Sequence, residues 1–222
     1  MADRAGDLEY SGLSEQMRQE IREPTFVVRA GFGANHPVGG EEGESTLIVI
    51  GGPPGSGKTT AARRLSSELG TPLLGSDVVG RIIRSSEILP PEHREDAYRI
   101  AYEVVFGLCE HYLGLGLSVI LDINMAWEYQ WDRLDEIAHG HPNTPVLRFV
   151  LRCPKDVCLE RIQLRLQTEP TRSGIAFFVD PVRAWVWEFF ERLERSDASF
   201  VDAQGPEEAV YEEICRQILT PE

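Results

Sequence analysis

Thr46-Leu47-Ile48-Val49-Ile50-Gly51-Gly52-Pro53-Pro54-Gly55-Ser56-Gly57-Lys58-Thr59-Thr60 is an apolar run that breaks into glycines and then into a Lys-Thr pair. The run predicts a buried strand, and Gly52-x4-Gly57-Lys58-Thr59 at its end is the spacing of a phosphate-binding loop opening a helix. Glycines at 52, 55 and 57 permit backbone conformations closed to other residues, so successive N–H groups can converge on phosphate oxygens. Lys58 adds a charge near the β and γ phosphates. Thr59 offers a hard hydroxyl oxygen for Mg2+ at a helix N-terminus that itself favours anions. The segment Gly52 to Thr60 is therefore expected to cradle a nucleoside triphosphate.

The rest of the chain is consistent with one α/β domain. It has 222 residues, of which 42% are hydrophobic, enough for a sizeable core. Its longest apolar runs, such as 47–50 and 118–121, are strand-length and far short of a membrane span, and Met1-Ala2-Asp3-Arg4 lacks the apolar stretch of a signal peptide. A cytoplasmic protein is expected. Cys109, Cys153, Cys158 and Cys215 form no C-x-x-C pair, and the five histidines have no metal spacing, so reduced and mostly buried thiols are expected. The net charge of −14 disfavours extended nucleic-acid binding and gives weight to any place where arginines concentrate.

Residues 1–45, rich in Gly and Glu toward their end, are expected to be an extension and linker, with residues 46–222 as the folded domain. Within that domain apolar runs alternate with helical patterns. The alternation predicts parallel strands near 46–51, 73–76, 117–122, 145–151 and 199–202. Helices are predicted near 58–69, 77–86, 91–115, 127–139, 155–167, 181–195 and 206–219.

Three further constellations carry chemistry. Asp122 closes the apolar run Val119-Ile120-Leu121, where a carboxylate at a strand end can hold Mg2+ beside the phosphate loop. Asp77, Arg81 and Arg84 share one face of a helix beginning after the second strand. There Asp77 can take the proton of an acceptor hydroxyl, while the arginines bind a polar substrate. Arg161 and Arg165, one turn apart, lead into a polar stretch containing Arg172, as expected of a lid that brings positive charge over a triphosphate. Each reading competes with a plainer one: a strand-end cap, a solvated ion-pair face, an ordinary charged helix.

The acceptor is expected to be recognised between Arg84 and Tyr112. Tyr98, Tyr102 and Phe106 recur at i, i+4 and i+8, a stripe that is either core or the wall of a pocket. Met125-Ala126-Trp127 follows Asp122 and is expected to close another side of that pocket.

Taken in order, Gly52 to Thr59, Ser76-Asp77 with Arg81, Val119 to Asn124, and Cys153-Pro154 with Glu160, Arg161 and Arg165 resemble the small P-loop kinases of the AAA-family ATP-binding or zeta-toxin-like group. Gluconate kinase, chloramphenicol phosphotransferase and polynucleotide 5′-kinase are among its members. The resemblance covers about 46–220. It implies a three-layer P-loop fold with a five-stranded parallel sheet, helices on both faces and a helical lid. It also implies transfer of the γ-phosphoryl group of Mg-ATP to a hydroxyl, with Lys58 and Thr59 on phosphate and metal, Asp77 as base, Arg161, Arg165 or Arg172 as lid cations, and Asn124 touching the acceptor. Asp77-x3-Arg81 is one residue longer than the Asp-x-x-Arg of polynucleotide kinases, a departure that points with the acidic composition toward a small acceptor such as an antibiotic, sugar or other metabolite. A nucleotide or polynucleotide kinase, and a nucleotide-dependent regulatory or toxin–antitoxin module, stay open as alternatives. Asn-Lys-x-Asp, the guanine-reading motif, is absent from the sequence, so ATP is expected. A monomer or homodimer is expected.

Overall fold

A computed structural model of the chain describes residues 45–85, 96–168 and 184–219. Five parallel strands form one sheet: β1 (Leu47–Gly51), β2 (Leu73–Gly75), β3 (Val119–Asp122), β4 (Val146–Arg152) and β5 (Ser199–Asp202), in the order β2-β3-β1-β4-β5. The helices are α1 (Lys58–Leu69), α2 (Ser76–Ser85), α3 (Asp96–Gly114), α4 (Glu128–Gly140), α5 (Lys155–Thr168), α6 (Ala184–Arg192) and α7 (Glu207–Leu219). The fold is that of a P-loop NTPase, with β1 at the centre of the sheet, where both of its faces are covered.

Alternation along β1 explains the layering. Leu47 and Val49 join Phe106, Leu121, Trp131 and Leu134 on one face, the side of α3 and α4. Ile48 and Ile50 join Ala62, Leu65, Phe149 and Ile214 on the other, the side of α1 and α7. An unbroken apolar run is what a strand needs when both of its faces are buried. Gly70 ends α1 in a left-handed conformation with φ 63°, as expected of a glycine directly after a helix.

Element boundaries follow the sequence expectations to within a residue or two wherever they fall in the described residues, except that α6 ends at Arg192, three residues before the expected 195. The extension 1–44, the start of the helix near Pro90 and the stretch containing Arg172 lie outside them. Cys109 and Cys158 are buried, Cys153 and Cys215 half-buried, and all four are free thiols. Burial pushes the Cys109 thiol up to about 12, which keeps it protonated and inert. Among the described residues, no helix is long and apolar enough to cross a membrane.

Candidate active site

Parallel registry brings the separate motifs to one edge. Asp122 pairs with Ile50 in β1 and with Gly75 in β2, so Asp122, the start of the phosphate loop and Asp77 all lie at the carboxyl ends of adjacent strands. In an open α/β sheet this is where ligands bind.

The phosphate loop has the conformation its glycines require. Gly52, Gly55 and Gly57 have φ of 137°, 83° and 95°. At Gly55 an added Cβ would lie 2.6 Å from the carbonyl oxygen of Cys158, so both conformation and space demand glycine there. Around Gly57 no atom lies within 4 Å of such a Cβ, which leaves open space at the mouth of α1. Gly57 caps α1 without a side-chain hydrogen bond, so the first N–H groups of the helix are left for an external acceptor. Lys58 curls back toward the loop, its Nζ donating to the Pro53 carbonyl at 3.4 Å.

Beside the loop, the buried Asp122 carboxylate accepts a hydrogen bond from the Thr59 hydroxyl, but its Oδ1 has no partner. Burial pushes the Asp122 carboxyl above the ordinary carboxylate range, with Lys58 and Thr59 pulling the other way. Ser56 Oγ is likewise buried and unpartnered. Buried polar atoms are normally hydrogen-bonded, so these orphans mark where a ligand would complete the site. A hard cation fits Asp122 Oδ1 and the Thr59 hydroxyl, with phosphate oxygens filling its remaining positions. Among the described residues no group of three or more His, Cys, Asp or Glu side chains could hold a metal alone.

A cavity of about 520 Å³ opens on the far side of the loop. Its walls include Gly55 to Gly57 with Thr60 and Arg64 of α1, Arg161, Leu164, Arg165 and Thr168 of α5, and Gly205 to Glu208 and Tyr211 around the start of α7. Sequence reasoning did not find this wall. Its signal was the Gly205-Pro206 pair following β5, a turn at the carboxyl end of a strand. Arg64 ties the wall together by stacking 3.8 Å over the Tyr211 ring and ion-pairing with Glu208.

Arg161 lines the cavity and also braces it: its guanidinium donates to the carbonyls of Ala203 at 2.9 Å, Gln204 at 3.1 Å and Gly205 at 3.2 Å, which holds the β5–α7 loop. Arg165 keeps a place on the cavity wall.

Of the residues expected to meet an acceptor, Asp77 and Arg81 are exposed on α2, and Arg84, Tyr98 and Trp127 are half-buried. Asp77 is close enough for its charge to act on Asp122 and on the Tyr102 hydroxyl. Two expected contacts move out of this surface. Tyr102 is only 4% exposed, packed edge-on to Trp127 with centroids 5.8 Å apart, and hydrogen-bonded to Ser76. It supports the wall from behind, because a ring one helical turn deeper than Tyr98 falls into the core. Asn124 is also buried, its Oδ1 accepting from the Ala126 N–H at 3.1 Å and its carbonyl accepting from the Gly52 N–H at 3.1 Å. It ties the end of β3 to the phosphate loop.

Met125, expected with Ala126 and Trp127 to close a side of the acceptor pocket, is fully buried and completes that tie. It has φ 59°, its carbonyl accepts from Trp131 Nε1 at 3.1 Å, and its thioether fills the space that a Cβ on Gly51 would need. A non-glycine residue in the left-handed region costs about 1–3 kcal/mol and persists where its surroundings over-determine it.

These features define a P-loop nucleotide site on a parallel α/β sheet, and comparison with known proteins agrees. The chain belongs to the AAA domain family, whose model matches residues 47–176, more than half of its length. Similar solved structures include a candidate kinase from Chloroflexus aurantiacus, at TM-score 0.59 and 22% identity over 78% of this chain and 97% of that one. A gluconokinase from Sinorhizobium meliloti superposes at 0.53 with 18% identity, over 78% of this chain and 91% of that one. A sugar kinase from Janibacter sp. gives 0.52 and 18%, over 80% of this chain and 96% of that one. At such identities the likeness is one of fold. Among curated proteins, none matches the chain.

Proposed function

We propose that the protein is an ATP-dependent phosphotransferase acting on a hydroxyl of a small molecule, a sugar-like metabolite being the acceptor class that its structural neighbours favour. The observation that carries this reading is Asp77. An exposed carboxylate stands at the strand edge beside Asp122, outside the phosphate loop and across from the base-sized cavity. A nucleotide switch needs the loop and the cavity; an acid on the opposite side is what a second substrate needs.

In this reading the base and ribose occupy the cavity beside α7, the triphosphate crosses Gly55 to Thr59, and Lys58 swings from the Pro53 carbonyl to the β and γ oxygens. Thr59 and Asp122 would hold Mg2+, which supplies charge neutralisation on the phosphates when bound. The acceptor hydroxyl gives its proton to Asp77 as its oxygen forms a bond to the γ phosphorus. The bond from that phosphorus to the bridging β-phosphate oxygen breaks, and ADP carries away the electron pair. Asp77 then returns its proton to solvent. Ordering the two substrates in line from opposite sides of one strand edge removes most of the entropic barrier.

The test is ADP release from Mg-ATP by the full chain, screened against sugars, sugar acids, sugar phosphates, aminoglycosides, nucleosides and 5′-hydroxyl oligonucleotides, with mass spectrometry of the product. Stimulated ADP release with a phosphate gained by a small acceptor is expected. Tight nucleotide binding without stimulation by any compound would overturn the reading in favour of a partner-dependent switch.

A further inference from the structure

Cys153 and Cys158 face each other across the start of α5. The Cys158 N–H donates to the Pro154 carbonyl at 3.0 Å, which makes Pro154 the residue that caps the helix. Cys153 then stands just before the cap and Cys158 in the fourth helical position, the two places whose side chains meet across a helix entry. They do meet: the Cys158 thiol donates to the Cys153 carbonyl at 3.8 Å and lies against the Cys153 thiol. Cys158 is wholly buried with Ile162 and Trp187, whereas Cys153 is half-buried.

Both cysteines adjoin the nucleotide site. An added Cβ on Gly55 would lie 2.6 Å from the Cys158 carbonyl oxygen, so the phosphate loop rests directly on the helix backbone at Cys158. Arg161 reaches the other sulfur. Its Nη1 donates to Cys153 Sγ at 3.6 Å, while the same guanidinium holds the carbonyls of the β5–α7 loop along the cavity. A positive charge against a partly exposed sulfur is the setting in which cysteines react.

We propose that Cys153 and Cys158 are a reversible dithiol–disulfide pair, oxidised by hydrogen peroxide, whose closure lowers the affinity of the site for nucleotide. The Cys153 sulfur forms a bond to one peroxide oxygen as the O–O bond breaks, giving a sulfenic acid and one water. The Cys158 sulfur then bonds to that sulfur, the S–O bond breaks, and a second water leaves. Peroxide takes up the two electrons, and the thiol hydrogens end in the two waters. A disulfide is about 2 Å long, well inside the contact distance of two thiols, so closing it draws the two backbone segments together. The Cys158 backbone shifts against Gly55, and Cys153 Sγ is pulled from Arg161, which braces the cavity wall. By linkage, bound nucleotide opposes closure by the same factor that closure costs in affinity. The inference rests on the nucleotide site alone and holds for any acceptor.

The experiment treats the full chain with hydrogen peroxide, alkylates the remaining thiols and digests with trypsin, which cuts after Arg152, Lys155 and Arg161. The peptides 153–155 and 156–161 should stay joined, and dithiothreitol should separate them. Titration calorimetry should show Kd for Mg-ATP raised about 5–50-fold in the oxidised protein and restored by dithiothreitol. In glutathione redox buffers, saturating Mg-ATP should shift the pair toward the dithiol by that same factor. Cys153→Ser, whose hydroxyl still accepts from Arg161, should bind Mg-ATP equally before and after peroxide, and Cys215→Ser should respond as the unaltered chain does. Peptides joined through Cys109 or Cys215, oxidation of Cys153 with no joined peptides, or an oxidised protein that binds Mg-ATP as tightly as the reduced one would each overturn the inference and leave the nucleotide site standing. Loss of affinity by Cys153→Ser on peroxide treatment, or an unresponsive Cys215→Ser, would overturn it too. No binding of Mg-ATP by the reduced protein would remove both.

Discussion

The two sides of this cleft are built in different ways. On the nucleotide side a single stretch, Gly52 to Thr60, carries the glycine-bent backbone, the Lys58 ammonium and the Thr59 hydroxyl proposed to hold phosphate and metal. On the proposed acceptor side Asp77, Arg84, Tyr98 and Trp127 come from three separate segments, on elements that follow β2 and β3 or pack beside them. Phosphate recognition rests on backbone geometry, which local sequence dictates. Acceptor recognition as proposed would rest on side chains from distant elements, which can change without disturbing the loop.

The sharpest way to break this comparison is at its nucleotide end. Lys58→Ala is expected to abolish transfer and weaken ATP binding, measured by ADP release and titration calorimetry; retained turnover would remove the phosphate assignment of the loop. Asp77→Asn should lower transfer about 10²–10⁴-fold with ATP affinity unchanged. A parallel loss of ATP affinity would assign Asp77 to the nucleotide side and erase the division.

Smaller effects sharpen the boundary. Arg161→Ala leaves three loop carbonyls without their donor and should cost about 1.5–3 kcal/mol of stability in thermal or urea melts. A fully stable variant with impaired transfer would return Arg161 to the role of a cation over the triphosphate. The smallest effect is expected at Asp122. Its carboxyl is raised by burial, so in the protein without nucleotide or metal its ionisation opposes folding. Stability from this group is greatest at low pH and falls as pH rises from the unfolded carboxylate value toward the folded one. Asp122→Asn should therefore raise the melting temperature of the unliganded protein above that window and leave it little changed below. The same variant should lose Mg2+-dependent stabilisation by nucleotide. A drop in melting temperature at neutral pH would show that the carboxylate is already compensated without a cation.

How legible each part was follows from the same division. Helix α1 was readable to the residue, because a glycine-rich entry, a Lys-Thr start and Gly70 are local signals. The bracing role of Arg161 was hidden because its three partners lie more than forty residues away, in a loop whose carbonyls no spacing rule reveals. The burial of Tyr102 and Asn124 was hidden for a related reason. A residue type with the chemistry of a ligand contact looks the same in sequence whether it faces the cleft or, like these two, lies one step behind it. Met125 was expected at the pocket, and its left-handed backbone gave no signal, since it is held by contacts with Trp131 and Gly51.

By itself the sequence determined the parallel α/β fold, the phosphate loop and the position of Asp122 at a strand end, because glycine conformations and apolar periodicity act over a few residues. The tertiary structure alone decided which arginine braces a loop, which aromatic ring is core, and where the cavity lies. Those outcomes depend on what burial places against each side chain, and that is fixed by strand order and helix packing.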